Sequence, residues 1–193
     1  MKKVILSILA VLVTAYPAVT WAESPAPPVV AFDILKTDID LLLKNSPPAI
    51  DQQIRVVDMG QYNLGVGIVH RGPTNDKPSD PIIGPYHDYT AETYIILSGG
   101  GVLTTGGTIL DKKPSSSVNI MNGPGGNGKA GPGAYSRKVG PGDVIIIPAG
   151  VLHAWSQITD QVTYLSVRPD PDRKLPAGYI SPLLLKNQAV PAK

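Results

Sequence analysis

Residues 142–157 read GDVIIIPAGVLHAWSQ, and no other stretch narrows the fold so far. The β-branched run from Val144 to Ile147 has the texture of a strand, and Pro148-Ala149-Gly150 closes it with turn formers. Proline presets φ for a reversal, and glycine accepts the positive φ on which such turns often end. The chain is sent back as a second strand, LHAWSQI over 152–158, where period-two alternation puts His153, Trp155 and Gln157 on one face. In a closed barrel that face can be the interior, where a histidine carried by a tight turn meets side chains from another hairpin.

Five further segments share this texture: IRVVDM (54–59), YNLGVGIVH (62–70), ETYIILSG (92–99), GVLTTGG (101–107) and VTYLSVR (162–168). Short strands punctuated by glycine and proline predict an all-β antiparallel sandwich or barrel. In YNLGVGIVH the residues Tyr62, Leu64, Val66, Ile68 and His70 form the larger apolar face, which predicts that they point inward. The strands are preceded by FDILKTDIDLLLKNSPP, a short helix with Thr37 as N-cap, Asp38 and Asp40 in its first turn, an apolar face of Ile39, Leu42 and Leu43, and a stop at Pro47-Pro48. Residues 111–138 interrupt the strands, and six of the twelve residues from Asn122 to Gly133 are glycine. This composition predicts a long loop, either a mobile excursion or a lid that brings Tyr135 to a ligand.

The first 22 residues carry Lys2 and Lys3, an apolar run from Val4 to Val13 and the small-residue end Thr20-Trp21-Ala22, the pattern of a secretory signal peptide cleaved near Ala22. The expected location is therefore periplasmic or secreted. The chain contains no cysteine, so neither a lipoprotein anchor nor a disulfide is available. Removal of Lys2 and Lys3 leaves 15 basic against 15 acidic residues, a balance that predicts neither a nucleic-acid partner nor a membrane surface after cleavage. The expected organisation is a signal peptide over 1–22, an N-terminal arm and helix over 23–53, a barrel over 54–170 and a tail over 171–193. The apolar run from Ile180 to Leu185 is expected to pack on the barrel or on a second subunit.

Residues 84–100, GPYHDYTAETYIILSGG, hold the other chemistry. His87 and Tyr89 share strand parity while Glu92 is an odd number of residues from both, so a break near Thr90-Ala91 has to re-aim the chain. Beyond that break Glu92, Tyr94 and Ile96 share a face.

The spacing of glycine, five residues, Pro-x-Gly, two residues and histidine from Gly142 to His153 resembles the second motif of the cupin superfamily, with Gln157 where the family has asparagine. The first cupin motif is met in part, by Glu92 and by Gly99 seven residues later, with one histidine where the family has His-x-His. If His87 stands for the second of that pair, Pro85 replaces the first and the gap to Glu92 is ordinary. If it stands for the first, Tyr89 replaces the second and the gap is one residue short. The resemblance covers residues 60–168 and implies a cupin-type double-stranded β-helix, or jelly-roll, barrel. It further implies a divalent transition metal (Fe, Mn, Ni, Cu or Zn) on His87, Glu92 and His153, with Tyr89 as a conditional fourth ligand, and a homodimer, since cupins are often dimeric.

His70 is a second candidate for the missing ligand, or a hydrogen-bonded histidine of the core or rim. Trp155, Gln157 and Tyr135 are candidate substrate contacts beside it, and Tyr89 or Tyr94 could act as general acid or base if a metal or neighbour lowers its pKa. Three function classes stay open: a metal-dependent oxygenase, lyase or isomerase of a small organic molecule; a non-catalytic small-molecule or sugar-binding module with a degenerate metal site; and a structural role for the proline-rich ends.

Overall fold

The computed structural model describes residues 31–45, 50–77, 79–116 and 120–187. Residues 1–30, to which the expected signal peptide and most of the expected arm belong, lie outside the described residues, as does the end of the tail beyond Asn187. Among the described residues no helix is long and apolar enough to cross a membrane.

One wall of the barrel is a five-stranded antiparallel sheet. Its strands run, in spatial order, β1 (Ile50–Asp58), β2 (Asn63–Arg71), β11 (Val162–Asp170), β4 (Glu92–Gly99) and β9 (Val144–Ile147). The opposite wall combines two three-stranded sheets, β10 (His153–Ser156), β5 (Gly101–Gly106), β8 (Ala134–Val139) and β3 (Ile83–His87), β7 (Gly125–Ala130), β6 (Ile109–Pro114). These two sheets abut through β3 and β10. A Cβ on Gly84 would collide with the His153 carbonyl, and the Gly150 N–H donates to the His87 carbonyl at 2.6 Å. The expected all-β jelly-roll is thus the architecture observed, with the strands anticipated around residues 54, 63, 92, 101, 144, 153 and 162 all present.

The interior is apolar at one end, where Val69, Tyr94, Ile96, Leu103, Ile145 and Tyr164 from both walls pack together. A second apolar cluster lies on the outer face of the five-stranded sheet. There α1 (Lys36–Lys44) and α2 (Pro182–Asn187) cover Ile54 and Ile68 with Leu42 and Leu184, all four nearly or wholly buried. Each such side chain contributes roughly 1.5–3 kcal/mol through burial. The helix starts two residues earlier than its sequence suggests: Leu35, not Thr37, is the N-cap, and its N–H donates to Asp38 Oδ2 at 3.2 Å. The tail packs on the barrel, where Ile180 bridges to Arg55 and the Ser181 N–H donates to the Ile54 carbonyl at 2.9 Å.

Two expectations are corrected. Both faces of β2 are covered, and the face of Leu64, Val66, Ile68 and His70 looks outward to the helices. The interior face is Asn63, Gly65, Gly67, Val69 and Arg71, whose glycines leave room for Gln53 and Arg168. Among the described residues much of the glycine-rich insertion is also strand rather than loop, as the end of β6, all of β7 and most of β8 fall within it. β7 is the middle strand of its sheet, and Cβ atoms on Gly125, Gly126 or Gly128 would strike Tyr86, Lys113 or Ile109. Glycine serves close backbone approach here.

A Cβ on Gly67 would lie 2.8 Å from Arg168 Nη1 and 3.1 Å from the Gln52 carbonyl. Gly67→Ala is therefore expected to cost about 1–3 kcal/mol, as overpacking does. Urea unfolding at unchanged m-value reads that loss, and a midpoint equal to that of the parent would refute it.

Candidate metal centre

His87 ends β3, Glu92 opens β4 and His153 opens β10, and the intervening residues 88–91 carry the chain from one wall to the other. That crossing is the break demanded by the parity of His87 and Glu92. All three side chains are buried, and their ligand atoms lie within 4.8 Å of one another. Glu92 Oε2 is 3.1 Å from His153 Nε2 and 3.4 Å from His87 Nε2, and the imidazole centroids are 5.0 Å apart.

The protonation of His153 follows from its neighbours. Nδ1 lies 3.0 Å from the Val151 carbonyl, which can only accept, so Nδ1 carries the proton and the neutral ring has its lone pair on Nε2. That lone pair faces the Glu92 carboxylate, which already accepts the Tyr94 hydroxyl at 3.0 Å on the same oxygen. Two electron-rich atoms at 3.1 Å are reconciled by a shared proton or by a cation between them. Two imidazole nitrogens and one carboxylate oxygen form a donor set suited to a divalent first-row metal, with coordination positions to spare for solvent or substrate.

Glu92 is held from behind by a buried arginine. Its Oε1 accepts from Ser166 Oγ at 2.8 Å and from Arg168 Nε at 2.9 Å, leaving Oε2 to face the histidines. Arg168 is completely buried, and its terminal nitrogens donate to Gln53 Oε1 (2.9 Å), the Met121 carbonyl (3.1 Å) and Asp51 Oδ1 (2.8 Å). Burial by itself pushes the Glu92 pKa up, but the facing imidazoles of His153 and His87 and the charge of Arg168 outweigh it and hold the carboxyl well below its usual range. A depressed carboxylate pKa adds stability above the unfolded value and loses it as pH falls through the folded one. In metal-free buffer the parent protein is thus expected to lose stability progressively below about pH 4. Glu92→Gln should flatten that acid limb in denaturant titrations at successive pH values, and an unchanged slope would refute the assignment.

The other sequence candidates are dispersed. Tyr94 is buried at the cluster, but burial first and the Glu92 charge second push its pKa well up, so it is a persistent hydroxyl donor and positions Glu92 instead of acting as a base. Tyr89 is exposed, with Lys174 Nζ 5.4 Å from its ring centre, and stands outside the cluster. His70, on the outward face of β2, pairs its Nδ1 with Thr163 Oγ1 at 2.7 Å and is no ligand here. Gln157 leaves the face of His153 because β10 ends at Ser156 and Gln157 itself takes a positive φ of 50°. Tyr135 is exposed on β8 beside Arg137. Trp155 alone among the proposed substrate contacts stays near, lining with His153 and Pro85 a cavity of about 460 Å³.

Four contributors escaped the sequence reading: Arg168, Ser166, Arg71 and Asn122. The first two had a signal, since Ser166 and Arg168 alternate with Leu165 and Val167 on a strand of otherwise apolar character. Arg71, at the end of β2, shares parity with Val69 and reaches the cavity wall. Asn122 had none. It arrives from the segment between β6 and β7, buried, with Nδ2 at 3.2 Å from His87 Nε2.

No protein-family model matches the sequence, and no curated protein is similar to it. Solved structures of similar shape include a Klebsiella pneumoniae protein with a double-stranded β-helix domain, 13% identical over 74% of this chain and 94% of that one, with a TM-score of 0.44. Oxalate oxidase in complex with glycolate is 15% identical over 76% of this chain and 69% of that one, with a TM-score of 0.39. The Clostridium difficile EutQ protein is 15% identical over 72% and 74% of the two chains, with a TM-score of 0.36. The chain's own strand order gives an all-β barrel of jelly-roll type whose facing walls bring His87, Glu92 and His153 together.

Proposed function

We propose that the chain is an exported, divalent-metal-dependent enzyme that acts on a small organic molecule by oxygenase, lyase or isomerase chemistry. The observation that carries this reading is the buried cluster of His87, Glu92 and His153 opening, through His153, onto a cavity of about 460 Å³. That volume is in the ordinary range for small-molecule sites. His87 and His153 would hold the cation through imidazole nitrogen and Glu92 through Oε2, and a cation so held supplies Lewis acidity to a substrate oxygen.

The chain's own residues suggest what is bound. Arg71 lies in the cavity wall with Nε donating to the Tyr164 hydroxyl at 3.3 Å. Among the described residues no carboxylate lies within 4.0 Å of its guanidinium. A guanidinium anchored at Nε presents its terminal N–H groups as a fork for a carboxylate or similar anionic group. Trp155 donates its indole N–H to the same Tyr164 hydroxyl at 3.2 Å, so the ring edge is fixed and the ring offers apolar surface beside Arg71. The substrate class is accordingly a small organic acid. Arg71→Met is expected to weaken binding of a simple carboxylate ligand by roughly 10–100-fold, the worth of charged hydrogen bonds. Thermal-shift titrations with a carboxylate panel read this, and equal affinity in parent and variant would sink it.

Export rests on residues 1–22 and is tested by fractionation of cells producing the full chain, which should yield a shortened protein outside the cytoplasm. The decisive measurement for the enzyme reading is metal content after native export without supplementation. About one first-row transition metal per chain supports it, whereas a protein that takes up none even on reconstitution is the rival, non-catalytic binding module. Pro85, standing in the cavity wall where a further histidine would give a fourth ligand, favours that second reading.

A further inference from the structure

We propose that Asn122 is the fourth protein ligand of the metal centre, its side-chain oxygen joining His87, Glu92 and His153 from the segment between β6 and β7. The inference rests on the metal-binding reading above and concerns a residue outside the histidine and carboxylate set.

The Asn122 carboxamide reaches the cluster with one terminal atom 3.2 Å from His87 Nε2, and the residue is only 7% exposed. A primary carboxamide has nearly the same shape with oxygen and nitrogen exchanged, so a half-turn of its terminal torsion trades an N–H donor for an oxygen ligand at the same place. Without a cation, the N–H orientation satisfies the His87 lone pair. With His87 Nε2 engaged by a cation, that hydrogen bond has no acceptor, and the oxygen orientation becomes the favourable one. Among the described residues Oδ1 accepts no hydrogen bond that the turn would break.

The backbone around Asn122 is held in place from both sides. The Met121 carbonyl accepts Arg168 Nη1 at 3.1 Å, and the Pro124 carbonyl accepts the Asp88 N–H at 2.9 Å, one residue beyond His87. The same arginine therefore fixes Glu92 and the segment bearing Asn122, while Asp88 ties that segment to the strand end bearing His87. Ordering of this kind is what a ligand contributed by a connecting segment requires. The resulting set, two imidazoles, one carboxylate and one neutral carboxamide oxygen, remains one suited to divalent first-row metals.

The test uses cobalt(II) as the probe on the full exported protein, parent against Asn122→Ala and Asn122→Asp, by chelator competition and visible absorption of the bound ion. Asn122→Ala should bind cobalt at least 10-fold more weakly and with an altered ligand-field spectrum, because an oxygen has left the shell. Asn122→Asp, which keeps an oxygen at that position, should restore the affinity to the parent value or better, and it decides the matter if the alanine variant fails to fold. Unchanged affinity and spectrum in Asn122→Ala would overturn the assignment while leaving the three-ligand site intact. A parent protein that takes up no cobalt would instead remove the metal-binding reading itself.

Discussion

His153→Ala should abolish metal uptake at the cluster of His87, Glu92 and His153 while leaving the barrel folded. The imidazole contributes Nε2 directly to the cluster, 3.1 Å from Glu92 Oε2, and its other nitrogen is committed to the Val151 carbonyl. Loss of a supporting hydrogen-bond partner typically costs a metal site 10–100-fold in affinity, so removal of a ligand should exceed roughly 100-fold. Folding is less exposed to the change. The apolar end of the interior does not depend on His153, and the buried polar contact it loses is worth about 1–3 kcal/mol. The expected result is therefore a variant with native circular dichroism, a modestly lower Tm and no stoichiometric metal by elemental analysis. A variant that keeps one tightly bound metal per chain would show that the cation, wherever it binds, does not sit at this cluster.

Arg168→Met carries the largest expected effect on stability. The guanidinium is entirely buried and neutralises Glu92, 2% exposed, and Asp51, whose side chain is 28% exposed. Asp51 recovers hydration when its partner goes, so most of the penalty falls on Glu92, left with a buried charge facing neutral groups. Breaking a buried pair in this way costs about 3–5 kcal/mol. Lysine is no substitute, since one ammonium on a flexible stem cannot serve Glu92, Gln53, Asp51 and the Met121 carbonyl together. The same reasoning makes a sharper claim about coupling. In a Glu92→Gln background the cost of Arg168→Met should fall to less than half, because the stranded charge is gone. Denaturant unfolding of the four proteins in metal-free buffer reads the cycle, and additive losses would show that Arg168 acts only through packing.

The parts of this molecule that were legible in the sequence share a property: their evidence is local. The run from Val144 to Ile147, the turn at Pro148-Ala149-Gly150 and the return through His153 state a hairpin-like reversal whose geometry depends on neighbouring residues only. The mismatch in parity between His87 and Glu92 likewise required a break, and residues 88–91 supply it by crossing between walls. Where the reading failed, a second element had decided the outcome. Both faces of β2 are apolar enough to be buried, and alternation cannot say which one meets helices α1 and α2 and which meets the barrel interior. His70 was accordingly assigned to the wrong side. The glycines of residues 125–128 look like loop because their function, letting β3 and β6 approach β7 on either side, exists only once those strands are paired.

By itself the sequence determined the kind of wall the chain builds, because strand texture, turn chemistry and parity act over a few residues, and its resemblance to the cupin motifs singled out His87, Glu92 and His153, which the fold brings together. Only the tertiary structure decided what surrounds them. Arg168 beneath Glu92, Arg71 in the cavity wall and Asn122 against His87 come from strands and segments far apart in the chain, and the barrel's closure is what brings their side chains within hydrogen-bonding reach.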